Sequence, residues 1–66
     1  GGNEMNEKIV IEYDDQSYTV IFTGKRGQTY EIGYGDKHTS MEDIAQDIYE
    51  ALTAVGGVEV EMRKIG

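Results

Sequence analysis

The sequence predicts an α+β domain in the order β-β-β-α-β, with a four-stranded, mainly antiparallel sheet and one helix packed on one face. Three neighbouring segments alternate apolar and polar residues in phase with one another, a pattern typical of half-buried strands. One apolar stripe at helical spacing follows them, and a short alternating segment closes the chain. Because one helix covers only one face of a sheet, we expect the opposite face to be open.

The first three strands are predicted at 8–14, 17–24 and 28–35. A two-residue turn at 15–16 and a three-residue turn at 25–27 place their large apolar residues on one face, and a slip of one residue would scatter them across both faces. Gly27 can take the left-handed conformation that ends a three-residue hairpin loop. The predicted pairs are Tyr13 with Tyr18, Ile11 with Val20, Ile9 with Phe22, Phe22 with Tyr30, Val20 with Ile32 and Tyr18 with Tyr34.

A helix is predicted between two sets of end signals. Ser40 is a suitable N-cap residue, and Thr39 is the alternative. Gly56 and Gly57 stop the helix, as glycine at a C-terminal end commonly does. The apolar stripe that faces the sheet consists of Met41, Ile44, Ala45, Ile48, Leu52 and Val55.

The fourth strand is predicted after the helix, where Val58, Val60 and Met62 alternate with charged residues. A strand–helix–strand crossover is right-handed and makes the fourth strand parallel to the first and third. We expect it beside the first strand, which gives the order 4-1-2-3. A position beside the third strand is the alternative.

Length and composition predict a single domain over residues 8–66. Residues 1–7 are expected to form a disordered tail, and Gly1-Gly2 resembles a remnant of an expression vector. The chain contains no cysteine, which excludes disulfides and thiolate metal sites and fits the reducing cytoplasm. No apolar run is long enough to cross a membrane.

The charge balance narrows the classes of partner. The chain has 13 acidic and 6 basic residues and a net charge of −7. Direct binding to nucleic acid or to an anionic membrane is not expected, because phosphate contacts need concentrated Lys and Arg. A protein partner or self-association is compatible with this charge, which also keeps a small protein soluble.

The open face of the sheet is the first candidate for a binding surface. Glycine inside a strand often marks close approach by another backbone, and the predicted register places two glycines on this face. An ordinary solvated sheet face is the simpler interpretation. The candidate partner-binding residues are Val10, Glu12, Thr19, Ile21, Glu31, Gly33 and Gly35.

The outer side of the helix is the alternative candidate. It carries an acidic stripe of Glu42, Asp43, Asp47 and Glu50. Evenly spaced carboxylates can imitate a row of phosphates, although such faces are commonly just solvated. A metal site is disfavoured because these carboxylates diverge from a convex helix.

Two further features are interpreted as structural. Tyr13, Tyr18 and Tyr34 are expected to pack across strands at one end of the sheet, and would form an exposed cluster if the helix did not reach that end. His38, the single histidine, is interpreted as a surface residue. We predict no catalytic, cofactor-binding or metal-binding residue.

The predicted function is that of a small acidic, non-enzymatic protein-binding module with an accessory or regulatory role. Its size and composition are common among accessory proteins of phages and mobile elements, which is an analogy only. The first alternative is an acidic nucleic-acid mimic that inhibits a DNA- or RNA-binding protein. The second, a small-molecule binder or enzyme, is disfavoured because so small a core leaves little volume for a pocket.

Overall fold

A computed structural model describes residues 6–36 and 40–65. The chain forms one four-stranded sheet in the order β3-β2-β1-β4 and one helix, which confirms the predicted α+β fold and the place of β4 beside β1. The elements are β1 Lys8–Tyr13, β2 Ser17–Thr23, β3 Thr29–Asp36, α1 Met41–Val55 and β4 Glu59–Lys64.

The sheet is mixed, which corrects the expectation of a mainly antiparallel one. β2 pairs antiparallel with β1 and with β3, whereas β4 pairs parallel with β1. The cause is the crossover through α1, which returns the chain to the starting end of β1 so that both strands run in the same direction.

The hairpin between β1 and β2 has the predicted register, with Tyr13 opposite Tyr18. The carboxylate of Asp14 organises its turn by accepting the backbone N–H groups of Gln16 at 2.7 Å and Ser17 at 2.9 Å. The backbone N–H of Asp14 also donates to the carbonyl of Ser17 at 3.0 Å. The two hydrogen bonds to the carboxylate hold the pKa of Asp14 below its ordinary value, because they favour the charged form.

The hairpin between β2 and β3 has the predicted three-residue loop. Gly27 has a φ of 84° and donates its N–H to the carbonyl of Gly24 at 3.0 Å, while Gly24 donates to the carbonyl of Gln28 at 2.8 Å. The left-handed backbone conformation at this position suits glycine, which has no Cβ atom to clash with the backbone.

The second half of β3 departs from the predicted register. Phe22 faces Tyr30 as expected, but a β-bulge opposite the step from Val20 to Ile21 shifts the residues that follow. Val20 lies opposite Gly33, and Tyr18 lies opposite Gly35. The predicted pairs Val20–Ile32 and Tyr18–Tyr34 are therefore wrong.

Close packing between Tyr18 and Gly35 accounts for the shifted register. A Cβ atom placed on Gly35 would lie 2.8 Å from the Cζ atom of Tyr18, so any other residue here would force the ring to move. In the described part of the chain α1 packs on β4, β1 and β2 and makes no contact with β3. Large residues on that face of β3 would gain little burial, whereas glycine lets the Tyr18 ring lie across the strand.

The core lies between α1 and the β1 side of the sheet. Ile11 is completely buried, and Ala45 of α1 is equally inaccessible. Val55 is 82% exposed, which corrects its place in the predicted stripe, because it is the last helical residue and precedes the Gly56 cap. The residues that complete the core are Ile9, Tyr13, Tyr18, Val20, Phe22, Ile48, Tyr49, Leu52, Val58, Val60 and Met62.

The ends of α1 follow the predicted signals. The Oγ atom of Ser40 accepts the backbone N–H of Asp43 at 3.4 Å. Gly56 and Gly57 have φ values of 76° and 84°, a conformation that ends helices readily when the residue is glycine. The predictions for Thr39, for His38 and for residues 1–5 of the tail lie outside the described residues.

Candidate functional site

The open face, meaning the sheet face opposite α1, is built from three rows of residues that run across the strands. It brings together five of the seven predicted partner-binding residues, and it adds one residue that the prediction placed on the other face. The rows are Arg63, Glu12, Thr19 and Tyr34, then Glu61, Val10, Ile21 and Glu31, then Glu59, Lys8, Thr23 and Thr29.

Gly33 and Gly35 do not belong to the open face, which corrects the prediction that they leave it bare. The bulge in β3 turns both glycines toward the α1 side, opposite Val20 and Tyr18. The same shift places Tyr34 opposite Thr19 on the open face. An aromatic ring therefore stands where the sequence predicted a flat glycine surface.

Ion pairs cover the half of the open face that β1 and β4 form. The Nζ atom of Lys8 lies 2.6 Å from Glu61 Oε1, and Arg63 reaches Glu61 Oε2 at 2.8 Å and Glu12 Oε2 at 3.3 Å. Val10 lies in the row between these charges and is only 8% exposed. The charged side chains thus shield an apolar residue from water through their methylene groups.

The same ion pairs shift the proton affinities of their members. Hydrogen bonds from Lys8 and then from Arg63 hold the pKa of Glu61 below its ordinary value. Glu61 in turn raises the pKa of Arg63, with a smaller contribution from Glu12. Both shifts have the sign expected of an ion pair, in which each partner favours the charged form of the other.

A shallow groove of about 390 Å³ follows the middle of the open face. Val10 and Ile21 pair across the strands beneath it, and charged and threonine side chains surround them. Such a groove suits one apolar side chain of a partner. Its lining residues are Lys8, Val10, Glu12, Ile21, Thr23, Thr29 and Arg63.

β3 is the most exposed apolar element of the described chain. Tyr30, Ile32 and Tyr34 are 55%, 56% and 74% exposed. The strand lies at one edge of the sheet and pairs only with β2 among the described residues. Its outer backbone groups are therefore open to pairing with another strand.

The opposite edge of the sheet, formed by β4, is protected against such pairing. Glu59, Glu61, Arg63 and Lys64 make the strand highly charged, and α1 packs against it. Charged side chains and cover by a helix are two common ways to block an edge strand. β3 carries one charged residue, Glu31, along its centre and contacts no helix in the described part of the chain, so it is less protected than β4.

The predicted tyrosine cluster is divided by the shifted register. Tyr13 is buried at 8% exposure, and Tyr18 packs against the core beside it. Tyr34 lies on the open face instead. The cross-strand packing of the first two tyrosines is confirmed, and the three rings do not form one patch.

The acidic stripe on α1 is exposed along its length, as expected for an outer helix face. Glu50 accepts a hydrogen bond from the Nε2 atom of Gln46 at 3.0 Å. Among the described residues no group of three or more acidic or histidine side chains is arranged to hold a metal ion. The stripe comprises Glu42, Asp43, Asp47 and Glu50.

Sequence reasoning missed the exposure of Tyr30, Ile32 and Tyr34. The sequence signal for this exposure is the placement of Gly33 and Gly35 on either side of Tyr34. Because glycine has no side chain, this segment fits a strand with Tyr34 on either face of the sheet. A glycine opposite a tyrosine can accept the ring across its backbone, so the phase with Gly35 under Tyr18 was available from the sequence.

Comparisons of this chain with protein families, with curated proteins and with solved structures find no match. In the part of the chain that the structure describes, no helix has the length and apolar character needed to span a membrane.

Proposed function

We propose that this chain is a non-enzymatic protein-binding module, with an accessory or regulatory role, that binds a partner at β3 and the adjoining open face. One observation carries the proposal. β3 is an edge strand of eight residues, and its three large apolar side chains are each more than half exposed. An edge strand with large exposed apolar side chains and few charges is a site where another strand can pair.

The geometry of β3 favours recognition by strand addition. In this mode the backbone of a partner strand pairs with the free edge and supplies affinity, while alternate side chains supply specificity. Tyr30 lies on the α1 side of the sheet, opposite Phe22, and Tyr34 lies on the open side, opposite Thr19. A strand added to β3 would therefore contact one tyrosine ring on each face.

The chemistry of the whole chain supports a protein as the partner. With a net charge of −7, direct binding to nucleic acid or to an anionic membrane is disfavoured, because both require clustered positive charge. We extend the proposal to an accessory protein of the cytoplasm, of the type that phages and mobile elements encode, on its size, acidity and lack of cysteine.

Affinity capture from the lysate of the source organism, with matched surface variants as bait, tests the proposal. The double variant Ile32→Ser with Tyr34→Ser removes exposed apolar surface without touching the core, and we expect it to lose the captured partner. The helix variant Asp43→Lys with Asp47→Lys should retain it. Thr19→Arg should weaken capture, because Thr19 neighbours Tyr34 on the open face.

The opposite pattern would support the acidic nucleic-acid mimic. Loss of the partner from the helix variant alone, with steep weakening as salt rises and screens exposed charges, would contradict binding at β3. Tight binding of the unmodified chain to DNA or RNA at physiological salt would contradict both.

A further inference from the structure

The face of the sheet that carries α1 is only partly covered by it. Strands lie about 4.8 Å apart and a helix is about 10 Å across, so a four-stranded face has the width of two helices. α1 packs mainly on β4 and β1, touches β2 and makes no contact with β3 among the described residues. The half of this face that β2 and β3 form therefore has the width of one further helix.

The surface of this uncovered half is apolar. Tyr30 and Phe22 lie opposite each other on it, and Tyr30 is 55% exposed while Phe22 is only partly buried. Gly33 lies on the same face, opposite Val20. Because glycine has no side chain, the surface is low at this position and allows another backbone to approach closely.

One flank of α1 forms a wall beside this surface. Ile44, Ile48, Ala51 and Val55 follow one another at helical spacing and make a single apolar stripe. Its two isoleucines are partly buried, whereas Ala51 is exposed and Val55 is 82% exposed. A right-handed crossover from β3 through α1 to β4 turns this stripe toward β2 and β3. We call the space between the stripe and Phe22, Tyr30 and Gly33 the trough.

Acidic side chains border the trough along α1. Asp47 is a surface neighbour of both Ile44 and Ala51, from which it is three and four residues distant, and Asp43 lies one turn before it. Both carboxylates are exposed. The basic residues Lys25 and Arg26 stand in the loop before β3, at the end of the trough where α1 finishes. A segment that fits the trough therefore needs positive charge beside Asp43 and Asp47.

We propose that the trough is the docking site of an amphipathic helix from a partner protein. Its apolar face packs on Tyr30, Ala51 and Val55, and its lysine or arginine side chains lie beside Asp43 and Asp47. Such a helix completes the layer that α1 begins, and burial of the exposed apolar side chains stabilises the complex. The inference goes beyond the proposed function, because it assigns a second surface that does not involve the free edge of β3.

Titration of the isotope-labelled chain with a synthetic helical peptide, followed by NMR, tests the inference. The probe is a peptide as long as α1, 15 residues, with leucine on one face and lysine on the other. A second peptide carries glutamate in place of lysine. We expect the lysine peptide to shift the backbone amide signals of Tyr30, Gly33, Ala51 and Val55, and we expect no binding of the glutamate peptide.

Two tyrosines of β3 provide matched variants. Tyr30→Ser with Val55→Ser should weaken binding of the lysine peptide about tenfold, because two exposed apolar anchors are lost. Tyr34→Ser, the same change on the opposite face of the same strand, should leave the affinity unchanged. Asp43→Lys with Asp47→Lys should weaken binding of the lysine peptide and allow the glutamate peptide to bind. Circular dichroism checks that each variant keeps the fold.

Three results would overturn the inference. The first is no binding of the lysine peptide at millimolar concentration. The second is unchanged affinity in the Tyr30→Ser, Val55→Ser variant, which would reduce the contact to charge alone. The third is a set of shifted signals confined to the open face around Tyr34 and Thr19. None of these results bears on pairing at the free edge, which the capture experiment with Ile32→Ser and Tyr34→Ser tests separately.

Discussion

β1 and β3 belong to the same sheet and carry similar alternating patterns of apolar residues, yet β1 is largely buried and β3 is largely exposed. Ile11 of β1 is fully buried, whereas Ile32 of β3 is 56% exposed. β1 has α1 on one face and ion pairs on the other, while β3, among the residues that the structure describes, contacts no helix and pairs with β2 alone. Alternation therefore predicts that a segment is a strand, but the path of the crossover decides which strands are buried.

The crossover fixes the helix over the β1–β4 side. α1 must connect the end of β3 to the start of β4, and β4 pairs with β1. The 15-residue helix is about 22 Å long at 1.5 Å per residue. It packs on β4, β1 and β2, and in the described part of the chain it leaves β3 without a helix over it.

Truncation of Ile11 in β1 and of Ile32 in β3 to alanine gives the largest expected difference in stability between the two strands. Ile11→Ala should lower the free energy of unfolding by roughly 2–5 kcal/mol, because a fully buried side chain leaves a cavity. Domains of this size have only about 3–5 kcal/mol in total, so the variant should be largely unfolded. Ile32→Ala should change stability by less than about 0.5 kcal/mol, as most exposed substitutions do.

Urea denaturation followed by circular dichroism measures both isoleucine variants. A cooperative transition for Ile11→Ala near that of the parent would show that α1 does not pack on the centre of β1. A large loss for Ile32→Ala would show that β3 is covered in the monomer.

Alanine at the two glycines of β3 tests the bulge with a smaller effect. Gly35→Ala should destabilise by roughly 1–3 kcal/mol, because the new methyl group collides with the Tyr18 ring. Gly33→Ala should be neutral or slightly stabilising, since its nearest neighbour, a methyl carbon of Val20, lies at an ordinary 3.8 Å. Thermal unfolding of the pair measures the difference, and equal melting temperatures would contradict the register.

The turn between β1 and β2 provides the smallest effect, a dependence of stability on pH. Because the folded pKa of Asp14 is lowered from 3.8, its contribution is complete above that value and is lost as the pH falls through the lower folded pKa. Asp14→Asn should therefore reduce the loss of stability in acid. A titration of the Asp14 carboxyl carbon by NMR at or above its ordinary pKa would contradict the hydrogen bonds seen at the turn.

Much of the fold is accessible from the sequence because local signals and the core agree. Tyr13 pairs with Tyr18 and Ile9 with Phe22 as expected, since a short turn leaves no freedom of register. The helix begins after Ser40 and ends before Gly56, as the capping chemistry of these two residues predicts. The crossover rule then suffices to place β4 beside β1.

The sequence allows two registers for the second half of β3, and its alternating pattern does not choose between them, because the registers differ in packing rather than in pattern. Pairing Tyr18 with Tyr34 keeps every large residue in phase. With the observed bulge the large residues of β3 no longer share one face, and the Tyr18 ring packs against Gly35. The candidate site inherited this error, because its two glycines and Tyr34 exchanged faces, while Val10 and Ile21 stayed where the sequence placed them.

Detection of the contact between Tyr18 and Gly35 tests the account most directly, because the place of Tyr34 on the open face follows from the register that this contact marks. Nuclear Overhauser spectroscopy measures it in solution. We expect strong signals from the Tyr18 ring to the α protons of Gly35, with those protons shifted upfield by the ring, and signals from Tyr34 to Thr19. Signals between the rings of Tyr18 and Tyr34, with none to Gly35, would contradict the bulge and the interaction surface built on it.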